Sequence, residues 1–161
     1  KEEFNIRCAP FIGDMLNPEA LKLHGLTKEK LSEFDPADKA YREIYTKFNK
    51  YVDRYDKSDK FYMVGHNTKF DYDFMDIWFK KNADKFWYAY INYALIDTIQ
   101  LSVFFKLAGI IDVPNFKLET VCKSLGIEIQ AHDALSDIKA TRQIFQKYLE
   151  VLKQKKQEVV K

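Results

Sequence analysis

The chain has 161 residues, 47% hydrophobic and 31% charged, with a formal net charge of +2, which suits one soluble globular domain with a sizeable core. That near balance excludes a polycation or polyanion, so any phosphate-binding surface has to be local. No apolar run reaches the roughly 18 residues of a membrane span, and Lys1-Glu2-Glu3-Phe4 carries neither an initiator Met nor signal or transit character.

These features lead us to expect a cytoplasmic protein with no membrane partner. Cys8 and Cys122 lie far apart with no metal-type spacing and read as buried, reduced thiols. In chain order, Phe4 to Cys8 alternates and stops at Pro10, as an interior strand would. Asn17-Pro18-Glu19 opens a short helix to Lys22 or Leu23, closed at Gly25, and Thr27 starts another. Asp35-Pro36 caps a long amphipathic helix with Tyr41, Ile44, Tyr45, Phe48, Tyr51, Val52 and Tyr55 at helical spacing.

Phe61 to Gly65 is a short apolar run of strand type. Phe70 to Lys81 reads as a helix with Phe74, Ile77 and Trp78 inward. Ala94-Leu95-Ile96 is a further strand closed by Asp97, with a helix over Thr98 to Leu107. Another helix runs to Leu125 and ends at Gly126, and the last begins near His132 and frays from about Lys153. Strands alternating with helices predict an α/β sheet covered by helices.

Asp71, Asp97 and Asp137 recur at strand ends or at the starts of the next helices, where open α/β sheets gather ligands. For any one aspartate a helix cap is the commoner reason; the combination with His132 points to chemistry. Five residues along a helix turn through about 500°, a net of about 140°. His132 would therefore sit at the helix mouth while Asp137 points in from the second turn. A mobile base beside a fixed carboxylate is what metal-assisted hydrolysis needs. The aromatic run Phe86 to Tyr93 could stack bases, although core packing is its commoner use. Lys80, Lys81 and Lys85 could follow phosphates, although a solvated helix face is the commoner reading.

Four of these strings resemble a known family. Gly65-His66-Asn67-Thr68-Lys69-Phe70-Asp71, within Phe61 to Met75, resembles the second exonuclease motif of the DEDD superfamily. His132 to Asp137 resembles the third motif in its histidine-bearing (DEDDh) form. Asn17-Pro18-Glu19-Ala20, followed by His24-Gly25-Leu26-Thr27, is similar to a segment of proofreading (epsilon) subunits of bacterial replicative polymerases of the DNA polymerase III kind. Ile96-Asp97-Thr98 resembles the strand end that follows in them, and the order holds from Phe4 to about Leu152.

The resemblance implies an RNase H-like fold, a mixed sheet flanked by helices, in a single domain over residues 1–161. It implies 3′-to-5′ removal of nucleotides from DNA or RNA ends, of the proofreading or repair type used in DNA replication. Two divalent metal ions, Mg or Mn, would be held by Asp71 and Asp137, with His132 as general base. Leu23, His24, Asn67 and Phe70 match positions lining the terminal nucleotide's pocket, and Asp97 matches a supporting residue. The implied partners are a single-stranded nucleic-acid 3′ end and a polymerase or other replication protein.

The family's first motif, Asp-x-Glu on the first strand, is absent. We therefore expect the sheet to lack its first one or two strands, metal binding to be weak or absent, and the chain to be an inactive piece of a longer protein. The alternatives are a catalytically dead binding or scaffold module that keeps the fold, and an exoribonuclease of oligoribonuclease or RNase T type.

Overall fold

The structure is a computed structural model and describes residues 2–129 and 134–159, with side chains to 154. It divides into two compact units, Lys1–Phe61 with Asp73–Tyr93, and Tyr62–Tyr72 with Ala94–Lys161.

The first unit holds α1 (Pro18–Leu23), α2 (Lys28–Ser32), α3 (Ala37–Asn49) and the greater part of α4 (Thr68–Lys81). Local chemistry accounts for the first two. Asn17 Oδ1 accepts from the Glu19 and Ala20 amides at 2.8 and 3.3 Å, and Thr27 Oγ1 accepts from Lys30 at 3.2 Å; each satisfies amide donors that a helix start leaves orphaned. Asp35 does not cap α3. Its carboxylate pairs with Lys39 Nζ at 2.8 Å, and Pro36 occupies the cap position with no side-chain bond. The helix also stops at Asn49, leaving Tyr51 and Tyr55 beyond it and exposed.

The core here is aromatic. Phe79 and Tyr90 are fully buried, Phe79 lies 4.9 Å from Trp87 between ring centroids, and Tyr41 meets Phe79 edge-on at 5.3 Å. Trp87 and Tyr90 of the aromatic run are thus used in packing, whereas Phe86, Tyr88 and Tyr93 are exposed. On α4 the fully buried residues are Thr68 and Phe79. Phe74 and Ile77, expected inward, are exposed and line an open apolar cleft of about 720 Å³ with Ile6, Phe11 and Leu31. Arg54 and Asp84 form a nearly buried ion pair at 3.2 Å, joined by the Tyr41 hydroxyl at 2.8 Å. The strand expected over Phe4 to Cys8 is reduced to one parallel bridge between Cys8 and Asp35. Extended sequence becomes a strand only through a partner, and none of any length lies beside it among the described residues.

The second unit is built on β1 (Val64–Gly65) and β2 (Ile96–Asp97), a parallel pair with Val64 opposite Ile96 and Gly65 opposite Asp97. The expected strands were longer. Phe61 instead bridges Ile91 within the first unit, so the mixed sheet is, among the described residues, this two-stranded pair. Asp97 leads directly into α5 (Thr98–Leu107), followed by α6 (Leu118–Ser124) and α7 (Ala134–Val159). The chain leaves α6 through Gly126 in the left-handed region (φ +64°).

Ala140, Ile144 and Tyr148 recur every four residues on α7 and pack with Phe105, Val121, Cys122 and Ile127 into one buried cluster. The Tyr148 ring stacks on Phe105 at 4.0 Å, and its hydroxyl meets Ser102 Oγ at 2.7 Å. Burial pushes the Cys122 thiol up to about 11, as befits an inert reduced cysteine, whereas Cys8 is only half-buried. The last helix runs to Val159, beyond Lys153 where composition suggests fraying. No described helix is long and apolar enough to cross a membrane.

Candidate functional site

Within the second unit the chain turns from β1 into α4 through Gly65-His66-Asn67-Thr68, and four features build that turn. A Cβ on Gly65 would lie 2.8 Å from Thr68 Oγ1 and 3.1 Å from Thr68 Cα, so the close approach requires glycine. Asn67 adopts φ +73°, the left-handed conformation asparagine tolerates better than most residues. Thr68 Oγ1 donates to the Ile96 carbonyl at 2.8 Å, and Thr98 Oγ1 donates to the Gly65 carbonyl at 3.0 Å, so the two strand ends are cross-stitched. Lastly, the His66 ring is engaged at both nitrogens, Nδ1 with Thr98 Oγ1 and Nε2 with the Phe116 carbonyl, each at 2.9 Å.

Asp97 serves this turn as well. Its Oδ1 accepts from the Asn67 amide at 3.1 Å and from the Ile99 amide at 2.9 Å, and its Oδ2 accepts from the Thr68 amide at 3.1 Å. One carboxylate therefore caps its own helix α5 and holds the entry to α4. With three amides on it, Asp97 ties the starts of two helices together.

Asp71 lies in the first turn of α4 and Asp137 in the first turn of α7. Crowding around the Asp71 carboxyl and then the negative charge of Asp97 raise it above the usual carboxylate range. Because Asp71 is exposed, solvent weakens both causes. Burial holds His66 below the ordinary histidine range, opposed by the Phe116 carbonyl and the charges of Asp97 and Asp137. The charge of Asp97 thus acts on Asp71 and His66, and that of Asp137 on His66 and Cys122. The three aspartates and His66 share one neighbourhood.

The other expected residues are distributed differently. His132 lies outside the described residues. Asn67 and Phe70 flank the same turn, both exposed. Leu23 and His24 end α1 in the first unit, also exposed. Hard carboxylates suit Mg²⁺ or Mn²⁺, but among the described residues no three His, Cys, Asp or Glu side chains converge as a metal-holding group. Asp71 and Asp137, the two carboxylates expected to hold metal, open two different helices. His66 went unassigned in the sequence because its partners lie 32 and 50 residues away; its place between an apolar run and a helix start was the only local signal.

The profile of the exonuclease family of RNase T type matches residues 1–145. The PolC-type DNA polymerase III of Bacillus cereus is 30% identical over 136 residues, which cover 83% of this chain and 8% of that protein. The PolC-type enzymes of Thermotoga petrophila and Thermotoga maritima are each 30% identical over 92 residues, 56% of this chain and 6% of theirs. The chain therefore spans less than a tenth of the length of these curated relatives.

Proposed function

The chain belongs to the exonuclease family, and from that premise we propose that it is the core of a DEDDh-type 3′-to-5′ exonuclease of RNase H-like fold, acting on nucleic-acid 3′ ends beside a polymerase. The observation that carries this reading is the pairing of Asp97, at the end of the second parallel strand, with Asp71 in the helix that follows the first, where crowding and then the charge of Asp97 raise the Asp71 carboxyl. A carboxylate crowded by a like charge is relieved by a cation, and perturbed groups of this kind mark functional sites.

Asp71 and Asp137 would hold the divalent ions. When bound, such ions polarise the phosphodiester and lower the pKa of an attacking water. Asp97 holds the turn that presents Asp71, and His132 is the proposed acceptor of the water's proton. Asn67, Phe70, Leu23 and His24 are proposed contacts of the terminal nucleotide, through base stacking and amide hydrogen bonds.

The test is trimming of 5′-labelled single-stranded DNA and RNA by the complete gene product with Mg²⁺. Asp71→Asn, Asp137→Asn and His132→Ala should each lower the rate about 100-fold or more. Unchanged trimming in any of them removes that residue from the reaction. Relative rates on the two substrates decide between the DNA-proofreading and exoribonuclease forms. One observation favours a second reading, a nucleic-acid-binding module without hydrolysis: two carboxylates are a sparse metal set among the described residues. Tight binding of a 3′ end, with no trimming by the complete gene product at any Mg²⁺ concentration, would select it.

A further inference from the structure

We infer that His66 is a positioning residue whose imidazole clamps the β1–α4 turn to the start of α5 and to the segment before α6, and so sets where Asp71 stands. This rests on the exonuclease reading for what Asp71 does, but not for the clamp itself. A carbonyl only accepts, so the 2.9 Å contact with Phe116 puts the ring proton on Nε2. A neutral ring then has Nδ1 as an acceptor facing the fully buried Thr98 hydroxyl, whose single proton is shared between Nδ1 and the Gly65 carbonyl.

Both nitrogens are thus committed to partners in the fold. Neither nitrogen is left over to take the proton of an attacking water, which separates His66 from the general base. The clamp reaches Asp71 through the backbone. His66 precedes Asn67 and Thr68, whose amides are the two that Asp97 holds, and Asp71 follows within the same first helical turn. Freeing the ring would loosen the Phe116 segment and the Thr98 hydroxyl together, and with them the carbonyl of Gly65.

Three substitutions in the complete gene product test this. The terminal amide of His66→Gln reaches the place of Nε2 and can donate to Phe116, the amide of His66→Asn reaches only the place of Nδ1, and His66→Ala reaches neither. For trimming of a labelled oligonucleotide, His66→Ala should lower kcat about 10- to 100-fold with KM changed less than about twofold. His66→Gln should recover most of the loss, with the acid limb of the pH–kcat profile where it is in the unaltered protein. Amide hydrogen exchange at Asn67, Thr68 and Ile99 should quicken in His66→Ala and return toward normal in His66→Gln.

Wild-type kcat in His66→Ala, equal losses in Gln and Ala, or a shifted acid limb in His66→Gln would each overturn the clamp. If His66→Ala fails to fold, the comparison of Gln with Asn decides, since Asn should resemble the unclamped state. An inactive unaltered protein with the expected exchange pattern would sink the exonuclease reading and leave the clamp standing. Active protein with unaltered exchange in His66→Ala would do the reverse.

Discussion

Replacing Asp97 by alanine removes the acceptor of three backbone amides in one step. Its cap of α5 is of a kind that contributes about 0.5–2 kcal/mol. The bonds from Asn67 and Thr68 to a charged acceptor would contribute about 1.5 kcal/mol each in a dry site, and about half that here, since Asp97 is only half-buried. The sum predicts a loss of about 2–3.5 kcal/mol. Asp97→Asn keeps an oxygen able to serve the Asn67 and Ile99 amides but presents an NH₂ to Thr68, so about 1 kcal/mol is expected. Urea unfolding followed by far-ultraviolet circular dichroism reads both as a lower midpoint at constant slope. If Asp97→Ala stays within about 0.5 kcal/mol of the unaltered protein, the ordinary spread for surface changes, or if Asn is as damaging as Ala, Asp97 is not the double cap described above.

Gly65→Ala forces a methyl against Thr68, which is held by its own bond to the Ile96 carbonyl and cannot retreat; a cost of about 1–3 kcal/mol should appear in a thermal melt. Asp84→Ala strands the nearly buried Arg54 and should destabilise by about 3–5 kcal/mol, while an Arg54→Met, Asp84→Leu pair should lose far less. Burial pushes the Asp84 carboxyl up, but the Tyr41 hydroxyl, the Phe86 amide and Arg54 outweigh it and hold the group below its ordinary range. Its stabilisation is therefore intact above about pH 4 and lost as pH falls through the folded value, an acid limb that Asp84→Asn should flatten. The depressed His66 acts in the same direction higher up: the unfolded chain takes its proton first, so stability declines as pH drops below about 6.5, and His66→Gln should remove that slope.

Helices whose ends are written in adjacent residues were legible from sequence. Asn17 with Pro18 and Thr27 mark α1 and α2, and Asp97 with Thr98 marks α5, because capping is local chemistry. The end of α3 was not legible, since Tyr51 and Tyr55 keep helical spacing after the helix has stopped and stand in solvent. Strand lengths were not legible either. An extended segment is a strand only as far as its neighbour allows, which is why Phe4 to Cys8 and Phe61 to Gly65 read as longer than they are. Asp71 and Asp137 were picked out by residue type and place in the chain. The service of Asp97 to a second helix and the engagement of His66 depend on partners about thirty residues or more away, beyond any local pattern.

The brevity of the parallel pair bears on the order in which the molecule assembles. Val64 meets Ile96 only after α4 and the aromatic turn have been laid down between them. Closing a loop of that size costs about 3 kcal/mol in chain entropy, more than two residues per strand can return until α7 packs against them. The acidic neighbourhood therefore comes together late, after the helices have condensed. The turn that carries Asp71 is therefore finished only when α7 has docked on β1.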